Sequence, residues 1–263
     1  QNKFMKKFEI KNRKGLKIVG VLEKSEGIIK GTCIVQHGWG GNRNKLTVQV
    51  IKNSFLESGF QTFNFDTTNS FGESDGDFEK STLGSFYEDL EDVVKWVQKQ
   101  EWFISPLALT GHSKGGYTIL KYGEEYPEEV SYIVPIAPVV SGKLSFEKYE
   151  KNNPEELEKW NKDGFRIRIG KEGNVRKEHF YQMEERLNHD LIPKVSNLSM
   201  PILIIVGSKD DSCPLEHQEI LFNAIPDGNK TLEVIEGAPH SFNEISEQER
   251  CKSIIKRWLL KFV

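Results

Sequence analysis

The chain has 263 residues, of which 37% are hydrophobic and 11% aromatic, with a formal net charge of −3; this composition suits a globular chain with one large core and argues against disorder. Its 36 basic and 39 acidic residues are interspersed, so no basic stripe points to nucleic acid. The longest apolar runs, such as residues 132–140 and 201–206, fall far short of the roughly 20 residues a membrane-spanning helix needs.

The first seven residues lack the apolar centre of a signal peptide, so the expected location is cytoplasmic. Cys33, Cys213 and Cys251 are odd in number and form no Cys-x-x-Cys pair, which predicts buried, reduced thiols without a disulfide framework or zinc ribbon. Residues 4–11 and 16–24 alternate apolar and polar side chains around Asn12-Arg13-Lys14-Gly15, the pattern of an antiparallel hairpin at a sheet edge. Residues 31–36 then read as a nearly continuous apolar strand, as in a parallel sheet covered on both faces. A helix follows over 46–58, with Leu46, Val50, Ile51 and Phe55 at helical spacing and Gly59 as its C-terminal cap. Residues 60–65 return to strand, a polar loop runs to about Ser81, and a helix is expected over 83–100 with Phe86, Leu90, Val93, Val94 and Val97 on one side.

Further strands are expected over 107–112, 130–140, 201–207 and 230–235, with a last helix over 247–263. Strands alternating with helices predict a doubly wound, mostly parallel sheet. The stretch 141–198 is far longer than one crossover needs. It reads as an inserted cap on a core formed by 1–140 and 199–263, with helix-like segments at 154–160 and 177–187 and a hairpin at 165–175. Its aromatic residues Phe146, Tyr149, Trp160, Phe165, Phe180 and Tyr181 either line a pocket or pack the cap, packing being the ordinary role of each.

The chemistry concentrates on Gly111-His112-Ser113-Lys114-Gly115. An apolar strand runs into Gly-x-Ser-x-Gly and at once into a helix, the order a nucleophile elbow requires, with Ser113 at its apex. A serine hydroxyl is a weak nucleophile near neutral pH and needs a base, and the base needs an orienting acid. Downstream, Asp210-Asp211 follows one strand and His240 follows the next. The remaining histidines, His112, His179, His189 and His217, read as structural or exposed, and no ligand spacing predicts a metal. Ser70 and Asp75 read as residues that stabilise their loop.

In these segments, namely His37-Gly38-Trp39-Gly40-Gly41, the Ser113 run, Gly207-Ser208-Lys209-Asp210-Asp211-Ser212-Cys213-Pro214 and Gly237-Ala238-Pro239-His240, the chain resembles the α/β-hydrolases over essentially its whole length. The likeness implies a triad of Ser113, Asp210 and His240, assigning the acid to Asp210 over Asp211 by similarity to Gly-x-x-Asp-x-x-Val-Pro, with Cys213 where valine is usual. It also implies oxyanion donors in the backbone N–H groups of Trp39 and Lys114, the Lys114 side chain being expected to face solvent. The loop after Asp66 and the cap placement are similar to small serine esterases of the cinnamoyl or feruloyl kind, although the family's Asp-x-Arg-Gly run is here Asp66-Thr67-Thr68-Asn69. The expected activity is hydrolysis of a small-molecule carboxylic ester without cofactor. A serine aminopeptidase, monoacylglycerol lipase or thioesterase using the same triad, and a non-catalytic binding module, are the alternatives.

Overall fold

In the computed structural model, which describes residues 4–170 and 172–263, the chain begins with the hairpin β1 (Met5–Lys11) and β2 (Lys17–Glu23). Residues 1–3, the start of the run read for a signal sequence, lie outside the described residues. The strands β3 (Thr32–Gln36), β4 (Gln61–Phe65), β5 (Leu107–His112) and β6 (Tyr132–Ile136) alternate with the helices α1 (Leu46–Glu57), α2 (Leu83–Val97) and α3 (Lys114–Glu125). An intervening segment holds α4 (Gly142–Asn152), α5 (Pro154–Asp163), the hairpin β7 (Phe165–Ile169) and β8 (Val175–His179), and α6 (Phe180–Arg186). The chain closes with β9 (Ile202–Gly207), α7 (Leu215–Ala224), β10 (Lys230–Ile235) and α8 (Ile245–Leu259).

Eight strands form one sheet in the order β1-β2-β4-β3-β5-β6-β9-β10, parallel from β4 onward and antiparallel at β1 and β2. The period of two splits each central strand between two cores. Ile34, Leu109, Ile133, Ile202 and Ile204 join the core beneath α2 and α3, whereas Cys33, Val35, Ala108, Val134, Leu203 and Ile205 join the one beneath α1 and α8. Because both faces are covered, β3, β5 and β9 are buried along their whole length, which is why they read as unbroken apolar runs. The three cysteines are free and buried, as expected from their spacing. Among the described residues no helix is long and apolar enough to cross a membrane.

Gly59 ends α1 as expected, and the hydrogen bonds show how. Its φ is 95°, its N–H donates to Leu56 O (3.1 Å), and the next N–H, of Phe60, reaches back to Phe55 O (3.0 Å). The Phe55 and Phe60 rings pack edge to face at 5.6 Å, completing the double-bonded, left-handed helix stop with its apolar contact.

Elsewhere the structure departs from the expected boundaries. The strand expected over 130–140 stops at Ile136 because Ala137 turns the chain at φ 44°. The hairpin expected at 165–175 continues to His179, so the helix expected from 177 begins only at Phe180. The extension is held by charge: Arg166 lies opposite Glu178 and pairs with it at 2.7 Å, a cross-strand contact that leaves no apolar alternation to read. Helices α4 and α7 add to the expected elements.

The segment between β6 and β9 is fastened to the rest of the protein through polar contacts at α2. Glu185 of α6 accepts from the Leu83 and Gly84 N–H groups at 3.0 and 2.9 Å, placing a carboxylate at the N-terminus of α2, where the helix dipole favours it. His179 bonds Glu79 at 2.6 Å, and Gln182 donates to Ser81 O at 2.7 Å. Trp160, Leu157 and Met183 form a small core of their own, against which Phe146, Tyr149 and Phe180 pack.

Replacing Gly59 by alanine forces a Cβ into the left-handed region and should lower the free energy of unfolding by about 1–2 kcal/mol. Denaturant unfolding measures this, and an unchanged midpoint would contradict the role given to the α1 stop.

Candidate active site

Ser113 links β5 to α3 in a left-handed conformation, φ 58° and ψ −116°, which a β-carbon makes unfavourable. The surroundings leave it no alternative. Its N–H donates to Ile136 O (2.9 Å), and its carbonyl accepts from Tyr117 N (3.1 Å) and Val139 N (3.2 Å). A Cβ at Gly115 would stand 2.5 Å from His37 O, and one at Gly111 would stand 2.6 Å from Gly115 O. The Gly-x-Ser-x-Gly spacing is therefore a packing requirement: strand, helix and the loop after β3 touch through bare backbone. The turn aims the free N–H groups at the start of α3 toward the serine.

Asp210 follows β9, and its carboxylate is fully buried. One oxygen accepts from Ser212 N (2.8 Å) and Cys213 N (2.7 Å), and the other meets His240 Nδ1 at 2.7 Å. Asp211 is exposed, so Asp210 is the member of the pair in contact with the histidine. His240, in the loop after β10, is held from behind as well: the His112 Nε2–H donates to its carbonyl at 2.8 Å, and the two rings lie 4.6 Å apart. Burial pushes His112 down to about 3, which keeps it a neutral donor. The sequence offered no signal for this second histidine beyond its place inside the elbow motif.

Cys213 lies against the site too. Burial pushes its thiol up, and a thiol held protonated is no rival nucleophile. Ser113 and His240 line one cavity, but among the described residues no hydrogen bond joins them. Such bonds commonly tighten when substrate binds.

The loop after β3 passes directly beside the serine, since a Cβ at Gly38 would fall 3.1 Å from Ser113 Cβ. His37 shapes this loop. Its Nδ1–H donates to Gly38 O (2.7 Å) while Nε2 accepts from Thr67 N (3.0 Å), and burial lowers its pKa so that it stays neutral. Below it, buried Asp66 accepts from Arg43 N (2.7 Å) and Glu73 N (2.9 Å) and pairs with the Arg43 guanidinium. Arg43 thus reaches Asp66 from the neighbouring loop and neutralises its buried carboxylate. Ser70 and Asp75 do stabilise their own loop: Ser70 donates to Thr67 O (2.7 Å), and Asp75 accepts from Lys17 N (2.9 Å). This scaffold carries the Trp39 and Lys114 N–H groups, neither engaged in a backbone hydrogen bond among the described residues.

The Lys114 side chain does not face solvent as expected. It is 3% exposed, and its Nζ lies 2.9 Å from the centroid of the Trp39 ring. The segment from α4 to α6 lies over the start of α3, so the chain extends along Trp39 into a cavity of about 410 Å³ that it shares with Ser113, His240, Tyr149 and Met183. Of the aromatic residues expected to pack or to line a pocket, Tyr149 reaches this cavity, Trp160 packs beneath, and Phe165 and Tyr181 are exposed. Among the described residues no cluster of three or more His, Cys, Asp or Glu side chains could hold a metal ion.

Comparison with known proteins gives concordant matches. An uncharacterized 31.7 kDa protein of the traX-finO intergenic region of Escherichia coli is 26% identical over 267 residues, covering 90% of this chain and 93% of its own. The mitochondrial palmitoyl-protein thioesterase ABHD10 of Mus musculus is 24% identical over 178 residues, 67% of this chain and 58% of its own. Among solved structures, Est1E from Butyrivibrio proteoclasticus with bound ferulic acid superposes with a TM-score of 0.80 at 20% identity, over 97% of this chain and 98% of its own. The mouse alpha/beta hydrolase domain-containing protein 10 also gives 0.80, at 18% identity over 98% and 100% of the two chains. These superpositions show the α/β-hydrolase fold. The family model described as serine aminopeptidase, S33, matches residues 27–162, more than half of the chain, and the chain belongs to that family of α/β-hydrolases.

Proposed function

We propose that the protein is a serine carboxylesterase that hydrolyses small carboxylic esters through an acyl-enzyme on Ser113. The observation that carries this reading is the 2.7 Å bond between buried Asp210 and His240, in a cavity also lined by a serine on a strained strand-to-helix turn. With its other oxygen fixed by two backbone N–H groups, Asp210 holds the His240 Nδ1–H and leaves Nε2 as the acceptor. Nε2 takes the proton from Ser113 Oγ as Oγ adds to the ester carbonyl. The Trp39 and Lys114 N–H groups donate to the oxyanion, and the imidazolium returns the proton to the departing alcohol. Water then repeats the sequence and releases the acid.

Residues 141–198 act as the cap that encloses the acyl group above a core of 1–140 and 199–263. Neither a cofactor nor a nucleic-acid partner enters this chemistry. The ferulic acid bound to Est1E supports trying hydroxycinnamoyl and short acyl esters first. The thioesterase name of the mouse relative and the aminopeptidase name of the family define the competing leaving groups, because fold and triad alone do not choose among them.

A fluorophosphonate probe should label the intact protein and fail to label Ser113→Ala; equal labelling of the two would refute the nucleophile. With matched feruloyl ester, butyryl ester, butyryl thioester and aminoacyl amide substrates, kcat/KM should be highest for an ester, and preference for the amide would overturn the esterase reading. Asp210→Asn should lower kcat by about four orders of magnitude, while Asp211→Asn leaves it largely intact; similar losses in both would remove Asp210 from the triad.

A further inference from the structure

The cavity beside Ser113 is lined with far more charge than a cinnamoyl or fatty acyl group calls for. Lys114, Lys148, Arg166, Arg168, Arg176 and Arg186 face it, against the carboxylates of Glu178 and Asp211. Glu178 is already committed: Arg166 grips it through Nε and Nη2 at 2.8 and 2.7 Å while stacking 3.7 Å from the centre of the Trp160 ring. Among the described residues, Lys114, Arg176 and Arg186 form no ion pair.

Two of these side chains make no hydrogen bond among the described residues, whereas Arg176 donates through Nη2 to Gly40 O at 3.1 Å and leaves only its buried Nε unpartnered. Lys114 Nζ and Arg186 Nε are buried without a partner. The Trp39 ring satisfies part of the ammonium's charge but none of its three donors. Burial pushes both groups below their ordinary range, and a bound anion would restore the charge that burial opposes. Satisfied polar groups are the rule in protein interiors, so two orphaned cationic donors at the wall of one cavity mark a place for an acceptor from outside.

We propose that this corner is an anion subsite, and that the preferred ester carries a carboxylate or phosphate on its acyl chain, held by Lys114 and Arg186 while the scissile carbonyl sits at Ser113. This rests on the serine-esterase reading. The oxyanion donor and the Nζ group belong to one residue, so the anion stands from the carbonyl by about the reach of a four-carbon stem. That spacing fits the hemiester of a short dicarboxylic acid. Hydrolysis then consumes water and yields the diacid and the alcohol, the distal anion remaining unchanged.

The test compares p-nitrophenyl hemiglutarate with p-nitrophenyl pentanoate, which match in length and differ in charge. The intact protein should favour the hemiglutarate by about tenfold or more in kcat/KM, and both Arg186→Met and Lys114→Met should reduce that ratio by a similar factor, whereas Asp210→Asn lowers both rates and preserves it. Calorimetry with glutarate, pentanoate and inorganic phosphate reads the subsite without turnover. Binding of glutarate or of phosphate that weakens in Arg186→Met supports it and distinguishes the two anions. Equal turnover of both esters together with no anion binding overturns the subsite and leaves the esterase standing. Anion binding without turnover of any ester overturns the esterase and leaves the subsite.

Discussion

Ser113 is held at φ 58° because β5 must reverse into α3 within one residue while both remain packed against the loop after β3. The strained conformation costs about 1–3 kcal/mol, and it persists because β3, β5 and most of α3 are buried and cannot separate to relieve it. The same crowding that excludes a side chain at Gly115 holds Ser113 and the start of α3 against the loop after β3 that carries Trp39. Local strain and site geometry are therefore a single constraint. Loosening the packing would relax the serine and scatter the donors together.

Around this turn, the loops at the carboxyl ends of the strands are fixed by buried polar groups whose partners are complete. Asp210 satisfies two backbone N–H groups and His240; His37 joins Gly38 to Thr67; Asp66 joins Arg43 to the 66–73 loop. Each is costly to bury alone and rigid once satisfied. Against that background, the unpartnered Nζ of Lys114 and the Nε atoms of Arg176 and Arg186 differ in place and charge: they belong to cations that line the cavity beside Ser113.

The parallel sheet was legible because burial on both faces writes itself as short apolar runs, and α1 because its stop needs glycine at Gly59. That the loops bearing Ser113, Asp210 and His240 meet at the carboxyl ends of β5, β9 and β10 was expected, since a strand–turn–helix pattern and its chain order show in one dimension. The rest depends on contacts between distant segments. The inner core of the 141–198 segment is three residues deep, so α4, whose only buried residue is Gly142, carries no apolar stripe to read. Helix α7 buries only Gln218 and Leu221 and leaves Ile220 exposed, which blurs its period in the same way. Arg43 pairs with Asp66 across 23 residues, a contact visible only when the two loops meet. The sequence neighbours of Lys114 point it to solvent, because a cation at a helix start opposes the dipole; what decides its direction is the α4 to α6 layer above it.

That layer also explains why the fold leaves substrate choice open. The chain matches solved hydrolases over 97 and 98% of its length at 20 and 18% identity, a level at which the architecture survives while the side chains on cavity walls change freely. In this chain the wall facing Ser113 comes from α3, β8 and α6, which contribute Lys114, Arg176 and Arg186 respectively. Those elements meet only after the inserted segment has docked on α2 through Glu185. The charged cavity wall is thus assembled by tertiary packing from residues that are ordinary surface cations when read singly. The turn at Ser113 fixes the serine at the cavity, and the docking of the inserted segment gathers scattered positive charges on the wall opposite it.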